Sequence, residues 1–312
     1  MKKKFAVIFS ALIIIFLGVG YFIGDYFVNF ALRFDSSTTP PTPPKAVANI
    51  ADPNLKPLPK PKNFLNETWE IISADGLKLH ATYFQPAEKN HNWAVLVHGY
   101  GRDQTFAYDY AEEYLKNGWN VLTPDLRCAG TSEGKFLTMG YFESHDINLW
   151  AEKILERDPE AKIIFHGVSM GAATVLMAAA QNPKNLYAVV EDCGYTSAYE
   201  MFTAQLYKIF GLPEFPIMNF VDIVSSFKIG VKVSDAAPIK TVSQIKVPVL
   251  FIHGDADKLV PFEMMGKLFD ECGADVKEKF IVEDAGHADA KNKDPQKYFS
   301  RVFEFLNKSV EK

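Results

Sequence analysis

A serine hydroxyl is a weak nucleophile until a neighbouring base takes its proton, and Ser169 stands in surroundings suited to that activation. It lies in Gly167-Val168-Ser169-Met170-Gly171, after the apolar run Ala161–His166 and before an alanine-rich stretch. Read as strand, tight turn and helix, this passage would hold the hydroxyl at a sheet edge, the glycines permitting the turn and close packing. The matching base is expected late in the chain. Of seven histidines, only His287, in Glu283-Asp284-Ala285-Gly286-His287-Ala288, lies beyond the acidic loop that follows the run Val247–His253. An imidazole in that role needs a carboxylate to orient it and to stabilise its cation. The loop His253-Gly254-Asp255-Ala256-Asp257 offers two. Asp255 directly follows His-Gly, where a turn-forming side chain is expected, so Asp257 is the preferred acid. Asp192, at the end of an earlier apolar run, is the outside candidate.

Attack on an acyl carbon builds negative charge on its oxygen, which two backbone N–H groups must receive. Met170, next after the serine at a helix N-terminus, is expected to supply one. Tyr100, in His98-Gly99-Tyr100-Gly101 after the run Trp93–Val97, is expected to supply the other. His98 comes too early in the chain to be the base and is expected to brace this loop through hydrogen bonds.

Positioning such residues requires a rigid frame, and the chain from Glu67 onward has the pattern of one. The runs Thr68–Ser73 and Lys78–Gln85 flank Asp75-Gly76, a hairpin signal. Short apolar runs at Trp93–Val97, Asn120–Pro124, Ala161–His166, Leu186–Glu191, Val247–His253 and Val276–Val282 then alternate with helical stretches. These helices are expected at Tyr108–Asn117, Phe142–Glu156, Met170–Gln181, Pro261–Cys272 and Asp294–Asn307. Apolar strands alternating with helices predict a mainly parallel sheet covered on both faces. Residues 196–240 break the rhythm with no strand but many bulky apolar groups. They are expected to form a small helical cap lining an acyl or aromatic pocket.

The N-terminal part follows different physics. Lys2-Lys3-Lys4 precedes an apolar run from Phe5 to Ile23 interrupted only by Ser10. As a helix it would extend about 28 Å, near the thickness of a bilayer's hydrocarbon core. The lysines favour the cytoplasmic side, which sends the rest of the chain outward. Residues 1–33 are therefore expected to be a single-pass membrane anchor with an extracytoplasmic catalytic domain. A cleaved signal peptide, with Gly18 and Gly20 near the cut and a secreted product, is the alternative. Residues 34–63, carrying eight prolines, are expected to be an extended linker, leaving residues 64–312 as the folded catalytic domain.

These residues resemble the α/β-hydrolase superfamily over about Glu67 to Phe305. Asp125-Leu126-Arg127-Cys128-Ala129-Gly130-Thr131-Ser132-Glu133-Gly134 is similar to a loop that many members carry after the fourth strand. The lysine-led segment, together with Gly194-Tyr195-Thr196-Ser197, resembles bacterial membrane-anchored cell-surface hydrolases, also described as serine-aminopeptidase-like. The resemblance implies an eight-stranded α/β sheet, a Ser-Asp-His triad and no cofactor. Members include esterases, lipases, thioesterases, acyltransferases and peptidases, so substrate is not implied. Carboxylester hydrolysis of a small acyl substrate is the leading expectation. Peptide cleavage and acyl transfer stay open, and an inactive surface binding module is the non-enzymatic alternative. A dehalogenase-like mechanism is disfavoured by serine in place of aspartate.

Composition excludes other classes. Hydrophobic residues at 48% and charged residues at 23% suit a packed globular core. A net charge of −5 argues against nucleic acid as a partner. Cys128, Cys193 and Cys272 are scattered, without metal-ligand spacing, so neither a structural metal nor a disulfide is expected. Cys193 is the one placed near the serine.

Overall fold

The structure, a computed structural model, describes residues 2–34 and 57–310. The linker expected over residues 34–63 therefore falls, for residues 35–56, outside the described residues. The chain opens with a long helix, α1 (Lys2–Leu32), followed by strands β1 (Leu65–Ile72), β2 (Lys78–Gln85) and β3 (Asn92–Val97). Next come α2 (Tyr108–Lys116), β4 (Asn120–Pro124), α3 (Tyr141–Arg157), β5 (Lys162–Val168), α4 (Met170–Ala179) and β6 (Leu186–Asp192). Two helices, α5 (Ala198–Phe210) and α6 (Ile217–Ile229), precede β7 (Val249–Gly254) and α7 (Glu263–Glu271). β8 (Lys277–Val282), the short α8 (Ala290–Lys293) and α9 (Pro295–Val310) complete the fold.

All eight strands form one sheet in the order β1-β2-β4-β3-β5-β6-β7-β8. The sheet is mixed: β2 runs antiparallel to both β1 and β4, and every later pairing is parallel. The hairpin at Asp75-Gly76 explains the antiparallel start, since Gly76 takes a positive φ of 87° that the turn requires. The central parallel strands must be apolar along their whole length because helices cover both faces. Accordingly β4 and β7 are buried at every residue, and β3 and β5 at every residue but the first.

Parallel register gathers the strands' C-terminal ends on one edge. Val97 of β3 aligns with Gly167 of β5, Val168 with Asp192 of β6, and Asp192 with Ile252 of β7. Three loops that carry chemistry-bearing residues thus emerge side by side. Helices α5 and α6 lie between β6 and β7 in sequence, and their buried Met201, Leu206, Met218 and Val221 join the core on the sheet's α1 side.

Helix α1 is long and apolar enough to cross a membrane, by length and composition. Its far half is exposed, while Gly20, Gly24, Val28 and Leu32 are buried against the rest of the chain. These four residues recur every fourth position and so share one face of the helix. Burying Val28 and Leu32 contributes about 2 kcal/mol each. Beyond α1 the backbone is stitched to the loop before α3: the Leu137 N–H donates to the Leu32 carbonyl at 2.8 Å and Phe34 N–H to the Lys135 carbonyl at 3.0 Å. The apolar run stops at Ile23, well before the helix does. The helix continues for two more turns because Phe27–Leu32 finds apolar partners on the folded domain.

Candidate active site

Ser169 occupies the turn between β5 and α4 with φ 58° and ψ −117°. A non-glycine residue in this region is strained and persists only where its surroundings hold it. They do so here through close backbone packing. A side chain at Gly167 would meet the Gly171 carbonyl at 2.2 Å, and one at Gly171 would meet the Val97 carbonyl at 2.2 Å. Two strands and a helix therefore approach too closely for any residue but glycine, and the serine is pushed out at the apex.

The Ser169 Oγ lies 2.7 Å from His287 Nε2, and His287 Nδ1 lies 2.8 Å from Asp257 Oδ2. The three side chains singled out by chain order thus meet in space. Asp257 is anchored at both oxygens: Oδ1 accepts from the Leu259 and Val260 N–H groups at 2.8 and 3.0 Å. Its Oδ2 is shared by His287 and by His253, whose Nε2 is 3.2 Å away. Burial alone would raise its pKa. The hydrogen bonds from His253 and His287 outweigh burial and hold this carboxyl well below the usual carboxylate range. A charged Asp257 can orient an imidazole with Nδ1 protonated and leave Nε2 free to accept the serine proton.

The other candidates have different work. Asp255 accepts the Asp284 N–H at 2.7 Å and ties two loops together. Asp192 Oδ2 accepts the Tyr298 hydroxyl at 2.8 Å, and burial raises its pKa to about 6. His98 accepts the Leu126 N–H at Nε2, 3.1 Å away, while its Nδ1 faces the Gly99 carbonyl at 2.9 Å. It therefore sits as a neutral brace under the loop it belongs to, and burial lowers its pKa.

That loop passes directly over the serine: a side chain at Gly99 would stand 3.3 Å from Ser169 Cβ. Met170 is the first residue of α4, where an N–H has no acceptor within the helix. The Tyr100 N–H has no backbone acceptor among the described residues. Both residues line the pocket into which Ser169 opens. That pocket, about 920 Å³ with its open mouth included, is walled by α5, α6 and, unexpectedly, α1.

Cys193 Sγ, Asp257 and His287 offer ligand atoms within 4.8 Å of one another. The set fits a metal poorly, because a ligand cysteine must ionise and burial, aided by Asp192, pushes this thiol's pKa well up. His287 Nδ1 is moreover already committed to Asp257.

Comparison with known proteins agrees with this architecture. A family model described as serine aminopeptidase, S33, matches residues 88–205, and one described as serine hydrolase (FSH1) matches residues 155–293. The solved structure of the esterase Pf2001 from Pyrococcus furiosus superimposes with a TM-score of 0.66 at 25% identity, covering 81% of this chain and 99% of that one. The chain belongs to the α/β-hydrolase superfamily. Its relatives include the uncharacterized protein YqkD of Bacillus subtilis, 28% identical over 76% of this chain and 78% of that protein. Est1E from Butyrivibrio proteoclasticus, solved with ferulic acid bound, shares the fold at a TM-score of 0.60 and 20% identity, over 78% of this chain and 100% of that one.

Two features of this α/β hydrolase were not anticipated from its sequence. His253 Nε2 lies 3.2 Å from the same carboxylate as His287 and also 3.2 Å from the Val260 carbonyl that accepts from it, although His253 reads as the buried end of a strand. The only available signal was its spacing of four residues before Asp257. Arg127 reaches both Asp146, at 2.8 Å, and Asp75, at 3.0 Å, pinning the loop after β4 to α3 and to the first hairpin. Nothing in a linear sequence pairs these three positions.

Proposed function

We propose that this hydrolase is a serine carboxylesterase that works through an acyl-enzyme at the outer face of a membrane, with α1 as its anchor. The observation that carries the reading is the unbroken chain of contacts from Asp257 through His287 to Ser169, ending at an apolar pocket. In the first half-reaction His287 Nε2 takes the proton of Ser169 as its Oγ bonds the acyl carbon. The oxyanion rests on the N–H groups of Tyr100 and Met170. The ester C–O bond then breaks, and the alcohol leaves with the proton from His287. Water repeats the sequence: it loses a proton to His287, bonds the acyl carbon, and the Ser169 ester is released as acid and free serine.

Lys2, Lys3 and Lys4 support an orientation with the N-terminus inside and the domain outside. The pocket also bears on the peptidase alternative. Among its described lining residues none carries a charged side chain, and only Ser169, Tyr100, Tyr195 and Gln205 have polar side-chain atoms, the Tyr195 hydroxyl being spent on the Met139 carbonyl. An aminopeptidase would need an acidic group there to hold a substrate's ammonium, so an uncharged acyl group is the better match.

The test is Ser169→Ala assayed against p-nitrophenyl acetate. Turnover should fall about a thousandfold or more, with the thermal unfolding curve retained. A cleanly purified, folded Ser169→Ala protein with undiminished turnover would refute the assignment.

A further inference from the structure

Helix α1 does more than tether. Phe27, Phe30 and Ala31 form one wall of the pocket that contains Ser169, facing Met201, Phe202 and Leu206 of α5. The Tyr100 hydroxyl, from the loop proposed to hold the oxyanion, donates to the Ala31 carbonyl at 2.6 Å. Helix and reaction centre are thereby in direct contact.

The packing of α6 on α1 fixes how high this wall stands. Gly20 and Gly24 let the two helices nearly touch: a side chain at Gly24 would meet the Phe220 carbonyl at 2.5 Å, and one at Gly20 the Phe220 ring at 2.1 Å. The Phe220 ring also meets Phe16, with centroids 5.4 Å apart. The start of α6 therefore lies beside the outer part of the apolar run Phe5–Ile23. Further along, Lys228 pairs with Asp25 at 2.6 Å and with Asn29 at 2.9 Å, a polar clasp just past the end of that run. Phe27 and Ala31 stand four and eight residues beyond Ile23, on the order of 6–12 Å above it. That is the depth of the headgroups. Phe215 at the tip between α5 and α6, and Phe227 on α6, are exposed at 74% and 86%, as large apolar side chains seldom are in water.

We infer that the enzyme takes its substrate sideways from the bilayer leaflet in which α1 sits, and that this substrate is a long-chain acyl ester of a membrane lipid. The acyl chain slides between α1 and α5 while its ester bond reaches Ser169. The inference rests on the proposed esterase chemistry and anchor, and adds the substrate class and its route.

The full-length protein, reconstituted in dioleoylphosphatidylcholine vesicles, provides the test. Hydrolysis of p-nitrophenyl palmitate dissolved in the bilayer is compared with that of p-nitrophenyl acetate in the water phase. Palmitate turnover should follow its mole fraction in the bilayer, not its bulk amount. Gly24→Leu, which forces α1 away from α6, should lower palmitate turnover about tenfold or more, the loss expected when roughly two methylenes lose their apolar wall. Acetate turnover should fall markedly less than palmitate turnover, since Ser169, Asp257 and His287 all lie off α1. Gly18→Leu, on a helix face with nothing within 4 Å, should leave both esters unaffected. The inference fails if palmitate turnover tracks bulk amount alone, or if Gly24→Leu changes both esters equally or neither. Should the wild type cleave neither ester, the esterase reading falls first and this inference with it. Ser169-dependent cleavage of acetate alone overturns only the lipid substrate.

Discussion

Asp192 ends β6, Asp257 lies just past β7, and the pKa values of these two buried carboxylates are pushed in opposite directions. Asp192 receives one hydroxyl bond, from Tyr298, and its Oδ1 has no partner among the described residues. Burial dominates there and pushes its pKa to about 6. Asp257 is taken out of water nearly as fully, yet two backbone N–H groups and two imidazoles converge on it. The difference shows that donors, not depth, decide which way a buried carboxyl's pKa moves. Asp192 lies on an adjoining strand end, and its charge is still felt at Cys193. It is disqualified as the orienting acid by what it is bonded to.

The comparison can be broken most sharply by removing each charge in turn. Asp257→Asn should lower kcat/KM for p-nitrophenyl acetate by about ten-thousandfold, because the amide no longer fixes His287 in its reactive tautomer. Asp192→Asn should cost less than about tenfold. Equal losses in the two variants would erase the distinction. A smaller effect is expected at His253. Its replacement by Leu removes the imidazole shared between Asp257 and the Val260 carbonyl and should lower kcat roughly tenfold with little change in KM. His253→Gln, which keeps an N–H donor, should recover most of that loss.

The smallest effect concerns stability, and its sign follows from the direction of the shift. The folded-state pKa of Asp192 is raised, so its stabilising contribution is complete below the ordinary carboxylate value and is lost as pH rises through about 6. Wild-type protein should thus lose Tm between about pH 4 and pH 7. Asp192→Asn should lose less, by on the order of 1 kcal/mol. Part of the slope should survive in that variant, since Glu191 is also raised by burial, to about 7. Thermal melts across that range, wild type beside variant, would reveal the predicted divergence or its absence.

Much of the frame could be read from one sequence because its signals are local. The Gly167–Gly171 turn, the hairpin glycine at residue 76 and the apolar strands each declare themselves within a few residues. The choice between Asp255 and Asp257 was also legible, since turn chemistry assigns the former to its own loop, where it meets Asp284. What escaped was tertiary. Phe27–Leu32 looks like a continuation of a membrane segment, and only packing against α5 and α6 makes it a pocket wall. His253, Tyr298 and Arg127 act through partners 4 to 106 residues away in sequence. Buried polar networks of this kind leave no periodicity to detect.

The interlocked glycines beneath Ser169 carry a practical message for altering this enzyme. With Gly167 against the Gly171 carbonyl and Gly171 against that of Val97, β3, β5 and α4 form a block in which even one added methyl group has no room. Libraries seeking new selectivity should leave that block untouched and vary the side chains of α1, α5 and α6. Those helices line the pocket without supplying Ser169, Asp257 or His287.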